Sequence, residues 1–219
     1  MDLSEKLRRK TDPIWRKILG HPFVLGIGDG TLSADKFRFY LRQDYLFLVD
    51  YSRLLALAVA KAPDLASMGR FAGLLDATLN REMSMHRDLA ARLGVGPDDL
   101  GRASAAPTTY AYTRHLLEVA ASGGLHEITA ALLPCQWSYA DIGSALARTT
   151  ASNPHPFYRQ WIEMYASEDF AALVGWLRAL LDGARGRADE DRLETIFATS
   201  ARYEYLFWEM AHRMEQWPI

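Results

Sequence analysis

From Ser33 to Pro63 the chain carries a pattern that suits a long helix and no strand. Phe37, Tyr40, Leu41, Tyr45, Leu48, Ser52, Leu55 and Val59 recur three or four residues apart in overlapping rows. Ser33 can cap such a helix, Asp35 suits its first turn, and Pro63 breaks it, so the spacing predicts a helix over 34–61. The same period returns along the chain. A first amphipathic helix is expected over 7–19, irregular or divided at Pro13. Further helices are expected over 65–93, 109–121, 125–149, 157–165, 168–181 and 189–216. His21-Pro22-Phe23 opens what reads as a connection ending at Gly28-Asp29-Gly30, and residues 94–107 read as a loop. No stretch alternates long enough to build a sheet, and no fixed-period repeat is visible. The expectation is therefore an all-α, single-domain helical bundle over residues 1–219, with helices long enough to line a central cavity.

Composition narrows the function. A chain that is 49% hydrophobic and 24% charged, with net charge −2, reads as soluble and globular. It has no long basic run, which argues against nucleic acid as a partner. No apolar run approaches the roughly 20 residues a membrane helix needs. One cysteine among 219 residues cannot form an internal disulfide and favours a reducing, cytoplasmic setting.

That cysteine, Cys135, lies on a helical face with Leu132, Tyr139, Ile142 and Leu146. Pro134 interrupts the backbone donors beside it, which usually kinks a helix. By pattern alone Cys135 is either a small buried hydrophobe or a nucleophile. Asp44, Phe47 and Tyr51 share a face of the 34–61 helix. Asp44 is then a buried carboxylate needing partners, a solvent-facing one, or a mate for Arg42 or Arg53. Glu204 shares a face with Phe207, Trp208 and Ala211; if buried, its pKa would rise toward that of a useful acid. Glu82-x-x-x-His86 and Glu209-x-x-His212 invite a metal reading, but only the second has the spacing of helical di-iron bundles, and His86 reads instead as hydrogen-bonded in the core or at the surface. No zinc pattern, phosphate loop or Gly-x-Ser-x-Gly elbow appears, and the expectation is no metal and no cofactor.

His21-Pro22-Phe23, Gly30-Thr31-Leu32, Gln43-Asp44-Tyr45, Pro134-Cys135-x-x-x-Tyr139, Trp161-Ile162-x-x-Tyr165-Ala166-Ser167 and Glu204-x-x-Phe207-Trp208-x-Met210-Ala211 together resemble the TenA family, also called thiaminase II. The resemblance runs from the first helix to the last. It implies a haem-oxygenase-like all-α fold, a homotetramer, and hydrolysis of a small aminopyrimidine in thiamin salvage. It also implies roles: Cys135 as nucleophile, Glu204 as acid/base, Asp44 on the pyrimidine amino group and ring nitrogen, and Tyr139 as a polar neighbour of the thiol. Phe47, Tyr51, Tyr112, Tyr165 and Phe207 would line the ring. Many relatives carry tyrosine where this chain has Phe47, so one hydroxyl is missing while the stacking surface remains. The rival classes are a haem-binding oxygenase, a cofactorless oxidase or a di-iron oxidase on the same fold, and a regulatory or binding protein. His21 beside Pro22 at a helix end is a poor proximal haem ligand, and no helix-turn-helix signal is present.

Overall fold

A computed structural model describes residues 1–148 and 153–219. The described residues form helices joined by short connections and contain no strand. The helices are α1 (Leu3–Lys10), α2 (Asp12–Leu19), α3 (Pro22–Asp29), α4 (Ala34–Lys61), α5 (Leu65–Ala77), α6 (Met83–Arg92), α7 (Pro97–Gly101), α8 (Pro107–Ser122), α9 (Leu125–Ala147), α10 (Pro156–Tyr165), α11 (Glu168–Asp182) and α12 (Glu190–Arg213). A π-helical turn, Thr78–Glu82, joins α5 to α6.

The helix starts are encoded locally. Ser33 Oγ accepts from the Lys36 N–H, Ser167 Oγ from the Phe170 N–H, and an Asp64 carboxylate oxygen from the Ser67 N–H, each satisfying a donor that a helix start leaves open. Pro13 divides the expected first helix, standing in the first turn of α2 after Thr11. Three expectations need correction. The segment after His21 is a helix, α3: Pro22 starts it, His21 Nδ1 accepts the Phe23 N–H, and Gly30 ends it in the left-handed conformation at φ 81°. The 65–93 helix is interrupted by the π turn. The 94–107 loop contains α7. The last residue expected of the cysteine helix, Thr149, lies outside the described residues.

Two compact units make up the chain. The first comprises Met1–Leu32 and Thr129–His212, the second Ser33–Ile128 and Arg213–Ile219. The first is built on large aromatics: Trp15, Phe23, Tyr158, Trp161, Phe197 and Trp208 are fully buried. Trp15 stacks on Phe197 with centroids 6.4 Å apart, and its indole N–H donates to Asp141 Oδ2 at 2.8 Å. Burial pushes the Asp141 carboxyl up, against that hydrogen bond. In the second unit α5, α6 and α8 pack on α4. Lys61, at the end of α4, donates to the carbonyls of Ala120, Ala121 and Gly123 at 2.7–2.8 Å, placing a cation on the negative end of α8. Gln43 pins the approach to α8 by donating to the Ser104 carbonyl and accepting from the Ala106 N–H.

Candidate active site

Most of α9 belongs to the first unit, and it presents the face its sequence predicts. Leu132, Cys135, Tyr139, Ile142 and Leu146 are all buried, Cys135 to 8% exposure. The helix continues through Pro134. One turn beyond the thiol, the Tyr139 ring meets Tyr165 of α10 edge-on at 4.7 Å, Trp208 of α12 at 5.2 Å and Trp161 of α10 at 5.7 Å. From α12, Glu204 and Phe207 are buried to 2% and 4% exposure. Glu204 is thus no surface residue at the edge of an apolar face. Ser138 Oγ lies 3.1 Å from Glu204 Oε2 and 3.2 Å from the backbone carbonyl oxygen of Cys135. A thiol, a carboxyl and a phenol therefore stand on α9 and α12 among buried rings, where weakened solvation makes proton transfer and nucleophilic attack sensitive to each hydrogen bond. Ser138, Trp161 and Trp208 are the residues here to which the sequence reading gave no site role. Ser138 is buried and three residues after Cys135, and that spacing was its only signal.

In the second unit Asp44 is 4% exposed. The Tyr40 hydroxyl donates to its Oδ2 at 3.2 Å, and His86 Nε2 lies 3.1 Å from the same oxygen. His86 is fully buried, and burial pushes its imidazole down to about 3. It is therefore neutral near pH 7, and its Nε2–H donates to Asp44 as a hydrogen bond between a neutral ring and a carboxylate. Of the two arginines considered for Asp44, Arg53 bonds to Asp50, whose other oxygen takes Arg114. Phe47, Tyr51 and Tyr112 are buried together: Phe47 stacks on Tyr51 at 5.8 Å and meets Tyr112 at 5.1 Å. The structure thus buries Asp44 and three of the expected rings in the second unit, and Cys135, Glu204, Tyr139, Tyr165 and Phe207 in the first. Tyr40 and His86 are the partners the sequence reading missed. Tyr40 stands four residues before Asp44 and was legible as a helical neighbour. His86 comes from a helix remote in sequence.

A model of the TENA/THI-4/PQQC family matches residues 8–214. The chain belongs to this family. It is 46% identical to a Halalkalibacterium halodurans protein named aminopyrimidine aminohydrolase, over 99% of this chain and 98% of that one. A Helicobacter pylori protein of the same name is 40% identical over 97% of this chain and all of its own length. Among solved structures, the TenA homologue protein from P. horikoshii OT3 superposes with a TM-score of 0.92 at 36% identity, covering 97% of this chain and 99% of its own. The fold is the all-α, haem-oxygenase-like TenA type.

In this TenA-family chain two residues of the weak metal pattern, His86 and Glu209, have other work. Glu209 accepts from His21 Nε2 at 3.0 Å, and His21 Nδ1 is occupied by the Phe23 N–H. Among the described residues no group of three His, Cys, Asp or Glu side chains is arranged to hold a metal ion. None of the described helices is long and apolar enough to cross a membrane.

Proposed function

We propose that the chain hydrolyses 4-amino-5-aminomethyl-2-methylpyrimidine, and thiamin more slowly, to 4-amino-5-hydroxymethyl-2-methylpyrimidine in thiamin salvage. Aromatic side chains suit the flat faces of a pyrimidine: Phe47, Tyr51 and Tyr112 in the second unit, Tyr139, Tyr165 and Phe207 in the first. Asp44 accepts from the exocyclic amino group and, when the adjacent ring nitrogen carries a proton, from that N–H as well. Glu204 gives a proton to a ring nitrogen, which makes the ring electrophilic. The Cys135 thiolate adds to the ring, forming a carbon–sulfur bond, and the electron pair released into the ring breaks the exocyclic carbon–nitrogen bond, the amine leaving as ammonia from its protonated, ammonium form. Water then adds at the methylene and loses a proton to the released ammonia, the carbon–sulfur bond breaks to return the thiolate, and the ring-nitrogen proton returns to Glu204. A homotetramer in the cytoplasm, working without cofactor or metal on a small molecule alone, completes this proposal.

The observation that carries the reading is Glu204: a carboxyl 2% exposed, hydrogen-bonded to the helix of the lone cysteine, in a chain whose full-length relatives are named aminopyrimidine aminohydrolase. Glu204→Gln keeps the size and the capacity to donate a hydrogen bond but cannot transfer a proton. The variant is expected to bind the pyrimidine and lose on the order of 10²-fold or more in kcat, the usual scale of acid–base help. A rise in KM with kcat unchanged would leave Glu204 a binding residue only.

A further inference from the structure

Ser138 has a completely buried side chain and two acceptors within reach of one hydroxyl proton: the Cys135 carbonyl oxygen at 3.2 Å and Glu204 Oε2 at 3.1 Å. A hydroxyl donates one proton and can accept at the same oxygen. We propose that Ser138 is a positioning residue that turns its O–H from the Cys135 carbonyl to Glu204 as Glu204 gives up its proton, stabilising the carboxylate that proton transfer creates. The inference rests on Glu204 being the acid of the proposed reaction.

The two protonation states use the same heavy-atom positions. With Glu204 protonated, its O–H donates to Ser138 Oγ, and Ser138 donates onward to the Cys135 carbonyl. With Glu204 ionised it can only accept, and the Ser138 O–H swings over to it. The carbonyl released in this step is not stranded, because Cys135 lies inside α9, where a backbone N–H one turn on serves it. The switch therefore costs a rotation of one hydrogen atom and returns a charge-assisted bond, the stronger kind. A serine bonded to a carbonyl three residues back is common in helices and needs no function; the carboxyl on its other side is what distinguishes Ser138. Titratable groups near Glu204 along these helices include Cys135, Tyr139 and Asp141 on α9, Tyr158 and Tyr165 on α10, and Tyr203, Tyr205, Glu209 and His212 on α12, with His21 beside Glu209. Asp141 is held by Trp15, Glu209 by His21, and the Tyr158 hydroxyl donates to the Leu32 carbonyl.

The test compares wild type, Ser138→Ala, Glu204→Gln and the double variant, using the aminomethyl pyrimidine across pH. Carboxyl infrared titration of the substrate-free proteins supplies a readout independent of turnover. Removing a donor to the ionised form raises the carboxyl pKa. Ser138→Ala is expected to move the limb that falls with rising pH upward by about one unit, to shift the infrared titration equally, and to lower kcat about 5–10-fold with KM within about twofold. In the Glu204→Gln background the same substitution is expected to change kcat less than about twofold. An unmoved limb and infrared titration in Ser138→Ala, with the limb abolished in Glu204→Gln, overturns the role of Ser138 alone. A limb that survives in Glu204→Gln overturns the acid assignment, and the infrared shift then decides the coupling by itself.

Discussion

Two donors converge on one oxygen of Asp44, and one of them is a histidine that burial keeps neutral. This fixes the carboxylate before any ligand arrives. Asp44→Asn replaces an acceptor-only group with one that also donates. It is expected to cost roughly 1–3 kcal/mol in pyrimidine binding, because polar groups are left mispaired; calorimetry showing unchanged affinity would contradict the role. His86 gives a second prediction. Its folded pKa of about 3 lies below the ordinary 6.5. Between those values the unfolded chain takes a proton that the native state refuses, so stability is fully present above about pH 6.5 and falls as the pH drops toward 3. The slope for one such group is about 1.4 kcal/mol per pH unit. His86→Gln can still donate to Asp44 but does not titrate, so its acid limb should be flatter by that amount in denaturant titrations from pH 7 to 4. An equal slope in both proteins would mean that His86 is charged in the fold. Of these residues, Asp44 and Glu204 were legible because a carboxylate in an aromatic helical row stands out against the period. His86 and Ser138 were not, because what matters about them is a hydrogen bond across helices.

Helix α9 touches α10 backbone to side. A Cβ added at Gly143 would stand 2.5 Å from the Tyr165 carbonyl carbon and 2.7 Å from the Ala166 nitrogen, both backbone atoms. Gly143→Ala must therefore push α10 away and carry Tyr165 from its 4.7 Å contact with Tyr139. The expected result is about 1–3 kcal/mol of lost stability, the usual scale of overpacking, together with a lower kcat. A melting temperature equal to wild type would show that the helices yield at no cost. Whole elements were mostly readable, since capping residues and prolines mark their ends: α4 starts after Ser33 and α11 after Ser167, as their spacing predicts. What escaped had no periodic signal. In α3 the proline and glycines that read as a connection are instead the start and end of a helix of eight residues. The π turn at Thr78–Glu82 adds a residue to a helical turn without any compositional mark, and it changes the face that α6, with His86, presents.

At the scale of the whole chain, a family match over 8–214 takes in residues of both units. In the proposed reaction this chain replaces an amine on an aminopyrimidine through Cys135. The direct measurement is a product assay with 4-amino-5-aminomethyl-2-methylpyrimidine, following ammonia and the hydroxymethyl pyrimidine together, with wild type and Cys135→Ser in parallel and circular dichroism confirming that both are folded. Wild type is expected to release equal amounts of the two products, and Cys135→Ser to be slower by about 10³-fold or more, as when a nucleophile is removed. A folded Cys135→Ser protein that turns over within a few-fold of wild type would contradict it.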